Sequence, residues 1–283
     1  MRNALVLLFT LAASLPAWSK PTLFIAGDST AAKYEGADQQ GWGEPFADYF
    51  DAEKIEIANR AVGGRSSRTF ITEGHWDSLL GELKAGDIVL IQFGHNDAGA
   101  LNEEPPGSTR PLRARGTLPG IGEETQEIDN VITKKHEVVH TFGWYLRKMI
   151  ADVHAHEAMP IVMTLTLTNR WNEGRIACKA DEYRAWDLAV ARAEKVRFVD
   201  VSRIIADEYQ RLGRHAVAKF FIKDFIHTDP LGADVNARAV VAGLRTLRIG
   251  QIDRSLSSKG RRIAAYSPKP SSACPPIEEL QRP

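Results

Sequence analysis

Apolar residues are arranged in two alternating patterns along this chain. Residues 22–26 (TLFIA), 87–93 (DIVLIQF) and 161–167 (IVMTLTL) are nearly continuous apolar runs. Strands buried on both faces read this way. Residues 54–58 (KIEIA) alternate, and 196–201 (VRFVDV) completes a set of five predicted strands. Between the strands the spacing changes to that of helices. Over 138–154, apolar side chains stand at Val138, Phe142, Tyr145, Leu146, Met149, Ile150 and Val153, the 3.6-residue period of a helix with one buried face. Shorter helical patterns cover 45–50, 181–193, 204–212 and 233–247.

Strands separated by helical crossovers form a parallel sheet covered on both sides. The expectation is one three-layer α/β/α sandwich with a five-stranded parallel sheet over residues 20–250. Two segments break the pattern. Residues 98–128 are rich in Pro, Gly, Arg and Glu, and a loop of that length in a compact domain is usually functional or mobile. Residues 251–283 carry Ser, Pro and Lys/Arg with little periodicity and read as a poorly ordered extension.

The N-terminus reads as an address. Met1–Lys20 is MRNALVLLFTLAASLPAWSK: one Arg, then an apolar run over 4–17, then small residues at Ala17 and Ser19. That is a signal-peptide pattern over residues 1–19. The other reading, a membrane anchor, suffers from a run short of the roughly 20 residues a span needs. The mature chain is expected to be secreted or periplasmic, off the membrane and monomeric. An oxidising compartment permits a Cys178–Cys274 bond, and two free thiols are the alternative.

Composition narrows the function classes. The chain has 283 residues, 43% apolar and 25% charged, which excludes a disordered or fibrous protein. Its 36 basic and 36 acidic side chains cancel, which argues against a general nucleic-acid binder. Two cysteines exclude a disulfide scaffold or Cys-rich zinc module.

The chemistry collects at the carboxyl ends of the predicted strands, where open α/β sheets place their sites. Gly27-Asp28-Ser29-Thr30 follows the first strand. Gly63-Gly64-Arg65-Ser66 lies after the second, and Gly94-His95-Asn96-Asp97 follows the third. Asp224-Phe225-Ile226-His227 stands near the end of the domain. Singly, each is also a cap or turn sequence. Together they supply a nucleophile, backbone donors, an amide donor and an Asp–His pair, the parts needed for acyl transfer.

These four blocks, in this order, resemble the SGNH (GDSL-type) hydrolase superfamily, whose flavodoxin-like fold matches the expected sandwich. RGTLPGIGEET and EVVHTFGWYLRKMIAD are similar to segments of the rhamnogalacturonan acetylesterase family of carbohydrate esterases, as is the Thr that makes the first block GDST. The resemblance covers roughly residues 22–246. It implies Ser29 as nucleophile, His227 as general base and Asp224 as the group orienting it. It implies an oxyanion hole made by the N–H groups of Ser29 and Gly64 and the side-chain amide of Asn96. It implies no metal and no organic cofactor, with an acetylated polysaccharide as partner.

A rival motif lies at His136-Glu137-Val138-Val139-His140, a literal HExxH. On a helix, this spacing places two His on one face for zinc, with Glu as base. Leu146 stands where the longer metzincin pattern has its third His, so a solvated helix start is the competing reading. His95 is expected to support the GHND turn. His75, His154, His156 and His215 have no partner pattern.

For the substrate, Arg65, Arg68, Arg110, Arg113 and Arg115 suit an acidic glycan, since guanidinium groups hold carboxylates in bidentate fashion. The alternative for the loop arginines is pairing with Glu103, Glu104, Glu123 and Glu124. Arg170 and Trp171 are expected in the substrate cleft, with Trp171 stacking on a sugar. Trp42, Trp144 and Trp186 are expected in the core. The leading function is a serine esterase removing O-acetyl groups from rhamnogalacturonan or a related pectin. The alternatives are a lipolytic or thioester hydrolase of the same fold and a non-catalytic glycan binder.

Overall fold

The computed structural model describes residues 20–103, 112–178, 181–268 and 272–277. The segment read as a signal peptide lies outside them, as do Glu104 and Arg110. The strands are β1 Thr22–Gly27, β2 Glu56–Asn59, β3 Ile88–Gln92, β4 Thr125–Asp129, β5 His136–His140, β6 Met159–Met163, β7 Trp171–Asn172, β8 Arg175–Ile176 and β9 Arg197–Val199. Five of them build one parallel sheet in the order β2-β1-β3-β6-β9. These are the five expected strands. The fourth ends at Met163 rather than Leu167, because the Leu165 carbonyl is taken by Ser202 Oγ at 2.7 Å.

The helices are α1 Gly43–Phe46, α2 Ser67–Thr72, α3 His75–Leu80, α4 Phe142–Ala155, α5 Asp181–Ala193, α6 Val201–Leu212, α7 Arg214–Ala218, α8 Pro230–Thr246, α9 Gly250–Arg254 and α10 Ser258–Arg261. Alternate strand residues feed two cores. Leu23, Ile25, Ile88, Leu90, Ile161 and Met163 face one layer, packed with Phe46 of α1, Ile205 of α6 and Val240 of α8. Phe24, Ala26, Val89, Ile91 and Val162 face the other, with Phe70 of α2, Trp76 of α3, Met149 of α4 and Val190 of α5. Runs apolar at every position are what a strand covered on both faces requires. The fold is the expected α/β/α sandwich.

The helix expected from Val138 starts at Phe142. Thr141 caps it, its side chain accepting from the Trp144 N–H at 3.1 Å. Residues 136–140 instead form β5, paired antiparallel with β4. A period of two, not 3.6, governs HEVVH: Val139 is fully buried, while Val138 is 42% exposed. Four residues of strand separate His136 from His140 by about 13 Å, so the two imidazoles cannot share one metal ion as helical HExxH histidines do. Trp144, expected in the core, is partly buried and stacks on His140 at 3.7 Å. Trp42 and Trp186 do pack into the two cores.

Glu137 has a different partner. It holds the guanidinium of fully buried Arg68 through two bonds of 2.6 and 2.8 Å. Arg68 also donates to the carbonyls of Leu101 and Gly116. Arg68 therefore ties α2, β5 and the long loop together and is not available to substrate. Removing one partner of a buried pair leaves an uncompensated charge, so Glu137→Ala should cost about 3–5 kcal/mol of stability by denaturant titration. A loss below about 1 kcal/mol would show that the pair is not holding this region.

The C-terminal segment also differs from expectation. Beyond residue 250 it forms α9 and α10 and then lies along the domain. Tyr266 donates to Asp207 at 2.7 Å, Arg184 donates to the Pro275 carbonyl at 2.8 Å, and Ile277 is buried. Cys274 is joined to Cys178, with Cα atoms 5.2 Å apart. Periodicity missed this because the segment is held by scattered polar contacts and one covalent bond, not by a continuous apolar face.

Candidate active site

Strand order reverses between β1 and β3, which lie side by side with β2 and β6 outside them. Such switch points open a crevice at the carboxyl ends of the strands. Three of the four candidate blocks leave the sheet there. Gly27 of β1 is in register with Gln92 of β3, so Ser29 and Asn96 emerge from adjacent strands.

The turn after β1 is organised by Asp28. This buried carboxylate accepts from the Thr30 N–H at 2.8 Å and the Thr30 hydroxyl at 2.9 Å. The turn leaves Ser29 facing the crevice. The fourth block arrives from the other side of the sequence, in the connection from α7 to α8. Asp229 caps α8 through the Gly232 N–H at 2.8 Å, with Pro230 in the first turn. Just before it, Thr228 exchanges hydrogen bonds with Gln40, which anchors the segment beside the Ser29 turn.

The result is a continuous relay. Ser29 Oγ lies 2.8 Å from His227 Nε2, and His227 Nδ1 lies 2.7 Å from Asp224 Oδ2. Asp224 Oδ1 also accepts from the backbone N–H groups of Ile226 (2.6 Å) and His227 (2.8 Å). Burial opposes the charge on Asp224, but the hydrogen bonds from the His227 side chain and these two N–H groups outweigh it and hold the carboxyl below its ordinary range. The spacing of three residues lets one side chain bind both the imidazole and the turn that carries it.

The second block forms a tight turn beside Ser29. Gly64 has φ +79°, a left-handed conformation that favours glycine. Close approach is the separate requirement at Gly63. A Cβ there would sit 2.6 Å from the Tyr34 hydroxyl oxygen and 3.9 Å from Ser29 Cβ. Ser66 then caps α2, with Thr69 returning the bond. Asn96 reaches the same place from β3: its Nδ2 donates to the Arg65 carbonyl at 3.1 Å and lies 3.3 Å from Asp28 Oδ2. A serine hydroxyl bonded to an Asp-oriented imidazole, next to a glycine turn and a side-chain amide, can attack an acyl carbonyl and stabilise the charge that develops.

Behind these groups, Asp97 accepts from the Ser67 N–H at 3.0 Å and the Ser67 hydroxyl at 2.5 Å. Burial raises its pKa to about 7, although the Ser67 bonds oppose the rise. The folded state then binds a proton that the unfolded chain, near 3.8, has lost. Stability from this group is complete below about pH 4 and disappears as pH rises through about 7. Asp97→Asn should therefore flatten the decline of Tm between about pH 4 and 7. An unchanged slope would assign that decline to other groups.

A cleft of about 810 Å³ lies at the ends of β3 and β6, lined by His95 and Phe225, which adjoin Asn96 and the Asp224–His227 pair in the chain. Phe225, inside the fourth block, forms part of its wall with Gly94, His95, Arg170 and Tyr183. Arg170 lies over the Phe225 ring at 4.2 Å. His95 faces this cleft, its Nε2 3.5 Å from Thr166 Oγ1, and burial lowers its pKa.

Two expected substrate residues are placed otherwise. Trp171, in the β7–β8 hairpin, donates its indole N–H to Asn169 at 2.8 Å and packs against the core. Arg65 is engaged by Glu73 at 2.7 Å and by the Gly63 carbonyl at 2.9 Å. Of the loop arginines, Arg115 reaches the site, with Nη1 3.4 Å from the Gly64 carbonyl. Glu123, one of the expected loop partners, binds Arg147 instead. The contributions of Tyr34, Tyr183 and Phe225 were not visible in the sequence, since nothing in their local spacing separates them from core aromatics.

Residues 25–235 match the family described as GDSL-like Lipase/Acylhydrolase. A rhamnogalacturonan acetylesterase of Emericella nidulans is 32% identical over 225 residues, covering 80% of this chain and 85% of that protein. A probable rhamnogalacturonan acetylesterase, YesY of Bacillus subtilis, is 26% identical over 80% of this chain and 93% of its own length. Among solved structures, protein YxiM of Bacillus subtilis superposes with a TM-score of 0.64 at 25% identity. That alignment covers 82% of this chain and 58% of YxiM, so this chain spans little more than half of that protein.

Proposed function

This chain belongs to the GDSL-like lipase/acylhydrolase family and is a carboxylic ester hydrolase, and from that premise we propose that it removes O-acetyl groups from a polysaccharide, with acetylated rhamnogalacturonan as the leading substrate. The observation that carries the mechanism is the Ser29–His227–Asp224 relay, with links of 2.8 and 2.7 Å. Ser29 Oγ attacks the acetyl carbonyl while His227 Nε2 takes its proton. Asp224 holds the tautomer that leaves Nε2 free and stabilises the imidazolium. The carbonyl oxygen becomes an oxyanion, met by the N–H groups of Ser29 and Gly64 and by the Asn96 amide. His227 then returns the proton to the departing sugar hydroxyl, leaving an acetyl ester on Ser29. Water attacks that ester with His227 again as base, and acetate leaves.

The polysaccharide assignment is supported by the names of the relatives, and by the cleft of about 810 Å³ at the ends of β3 and β6. Arg170, stacked on Phe225 at the cleft wall, is the proposed contact for an acidic sugar. A location outside the cytoplasm is supported by the Cys178–Cys274 bond and by the N-terminal pattern.

Acetate release from acetylated rhamnogalacturonan, set beside acetylated xylan and a chain-length series of nitrophenyl esters, tests the reading. Fastest release from the pectic polymer, with rates collapsing beyond acetyl and propionyl, is the expected result. A preference for long acyl chains would move the protein to the lipolytic class. Inert wild type on every ester would leave only a glycan binder.

A further inference from the structure

Arg65 makes three contacts that converge on the two donors outside the Ser29 turn. Its Nη1 donates to the Gly63 carbonyl at 2.9 Å, and its Nε donates to Glu73 at 2.7 Å. Its own carbonyl accepts from Asn96 Nδ2 at 3.1 Å. The Gly63 carbonyl and the Gly64 N–H belong to one planar trans peptide and point in opposite directions. Whatever fixes that carbonyl therefore fixes the direction of the N–H. Glycines on both sides give this peptide unusual freedom to rotate, and the left-handed φ at Gly64 lies next to it.

We propose that Arg65 is a positioning residue that sets the oxyanion hole: its guanidinium clamps the Gly63–Gly64 peptide, and its backbone carbonyl orients the Asn96 amide. This rests on the esterase reading above. Glu73, at the C-terminal end of α2, holds the guanidinium in place, so the peptide is braced against a helix. Preorganised donors are effective because they need not reorient as charge appears on the substrate oxygen. Asn96 is set in the same way. Its Nδ2 donates to the Arg65 carbonyl at 3.1 Å and to Asp28 Oδ2 at 3.3 Å, so the amide is held from two sides at the rim of the site. The guanidinium thus serves the chemistry without touching substrate, in contrast to Arg170 on the cleft wall.

The test compares wild type, Ser29→Ala, Arg65→Ala, Arg65→Lys and Glu73→Gln. Each is assayed on neutral nitrophenyl acetate and on acetylated rhamnogalacturonan oligosaccharides. Loss of a whole oxyanion donor costs about 10²–10³ in kcat. Misaligning one by Arg65→Ala should therefore lower kcat about 10–100-fold on both substrates. KM should stay within about twofold and the midpoints of the pH–rate profile should not move, because the Asp224–His227 pair is untouched. Arg65→Lys should fall between wild type and Ala, and added methylguanidine should restore part of the Arg65→Ala rate. If Arg65→Ala does not fold, Glu73→Gln carries the test, with a smaller kcat loss of the same kind. A raised KM confined to the acidic oligosaccharide would make Arg65 a substrate ligand and overturn the proposal. So would unimpaired kcat in folded Arg65→Ala. Equal rates for wild type and Ser29→Ala would instead bring down the esterase reading itself.

Discussion

Replacing Ser29 with alanine lowers ester hydrolysis by roughly 10³–10⁶-fold, to a residue of activity that the remaining donors alone can supply. The size follows from what is removed. Ser29 Oγ is the atom bonded to His227 Nε2. Without it there is no group to carry the acetyl, and a water in its place must be positioned by the cleft alone. The fold should be indifferent to the change. The turn is held by Asp28 and Thr30, not by the Ser29 hydroxyl, so Tm should stay within a few degrees of wild type. Activity within tenfold of wild type would show that another nucleophile acts.

Asp224→Asn comes next, with an expected fall in kcat on the order of 10³–10⁴. Asparagine keeps an oxygen for the Ile226 and His227 N–H groups, so the turn survives. The atom opposite His227 Nδ1 becomes an amide nitrogen, which donates where the carboxylate accepted. The imidazole is then driven to carry its proton on Nε2, where it cannot receive one from Ser29. KM should change little, since Asp224 meets the imidazole and the backbone of its own turn. The pH profile adds a check. Asp224 is held below its ordinary 3.8, so in wild type it stays ionised from about pH 4 upward. Any acid limb above that pH belongs to another group. A kcat for Asp224→Asn within threefold of wild type would deny Asp224 this role.

The parts of this architecture that repeat with a short period were legible in the sequence. Apolar runs such as DIVLIQF read as strands covered on both faces, and three of them, with alternating KIEIA and with VRFVDV, make up the five strands of the sheet. The strand ends then say where to look. Ser29, Asn96 and His227 were visible because chemistry-bearing side chains collect after predicted strands or beside an Asp. The hairpin of β4 and β5 was not, because HEVVH followed by FGWYL satisfies a helical period until the Thr141 cap stops it. A single capping hydroxyl decides that boundary. The partners of Arg65 and Trp171 were hidden from the sequence for a related reason. A side chain's composition suggests what it could bind, but not whether a neighbour such as Glu73 or Asn169 already binds it. The C-terminal segment escaped notice because its order comes from Cys178 and Asp207, which are distant in the chain.

The central claim is that Ser29 is the acyl-carrying atom. Stoichiometric labelling with a fluorophosphonate tests it most directly, with the modified peptide located by mass spectrometry and residual acetate release measured on the same sample. One equivalent of label on Ser29, with activity falling in proportion, is the expected result. Label on another residue, or full acetate release from protein quantitatively modified at Ser29, would contradict it.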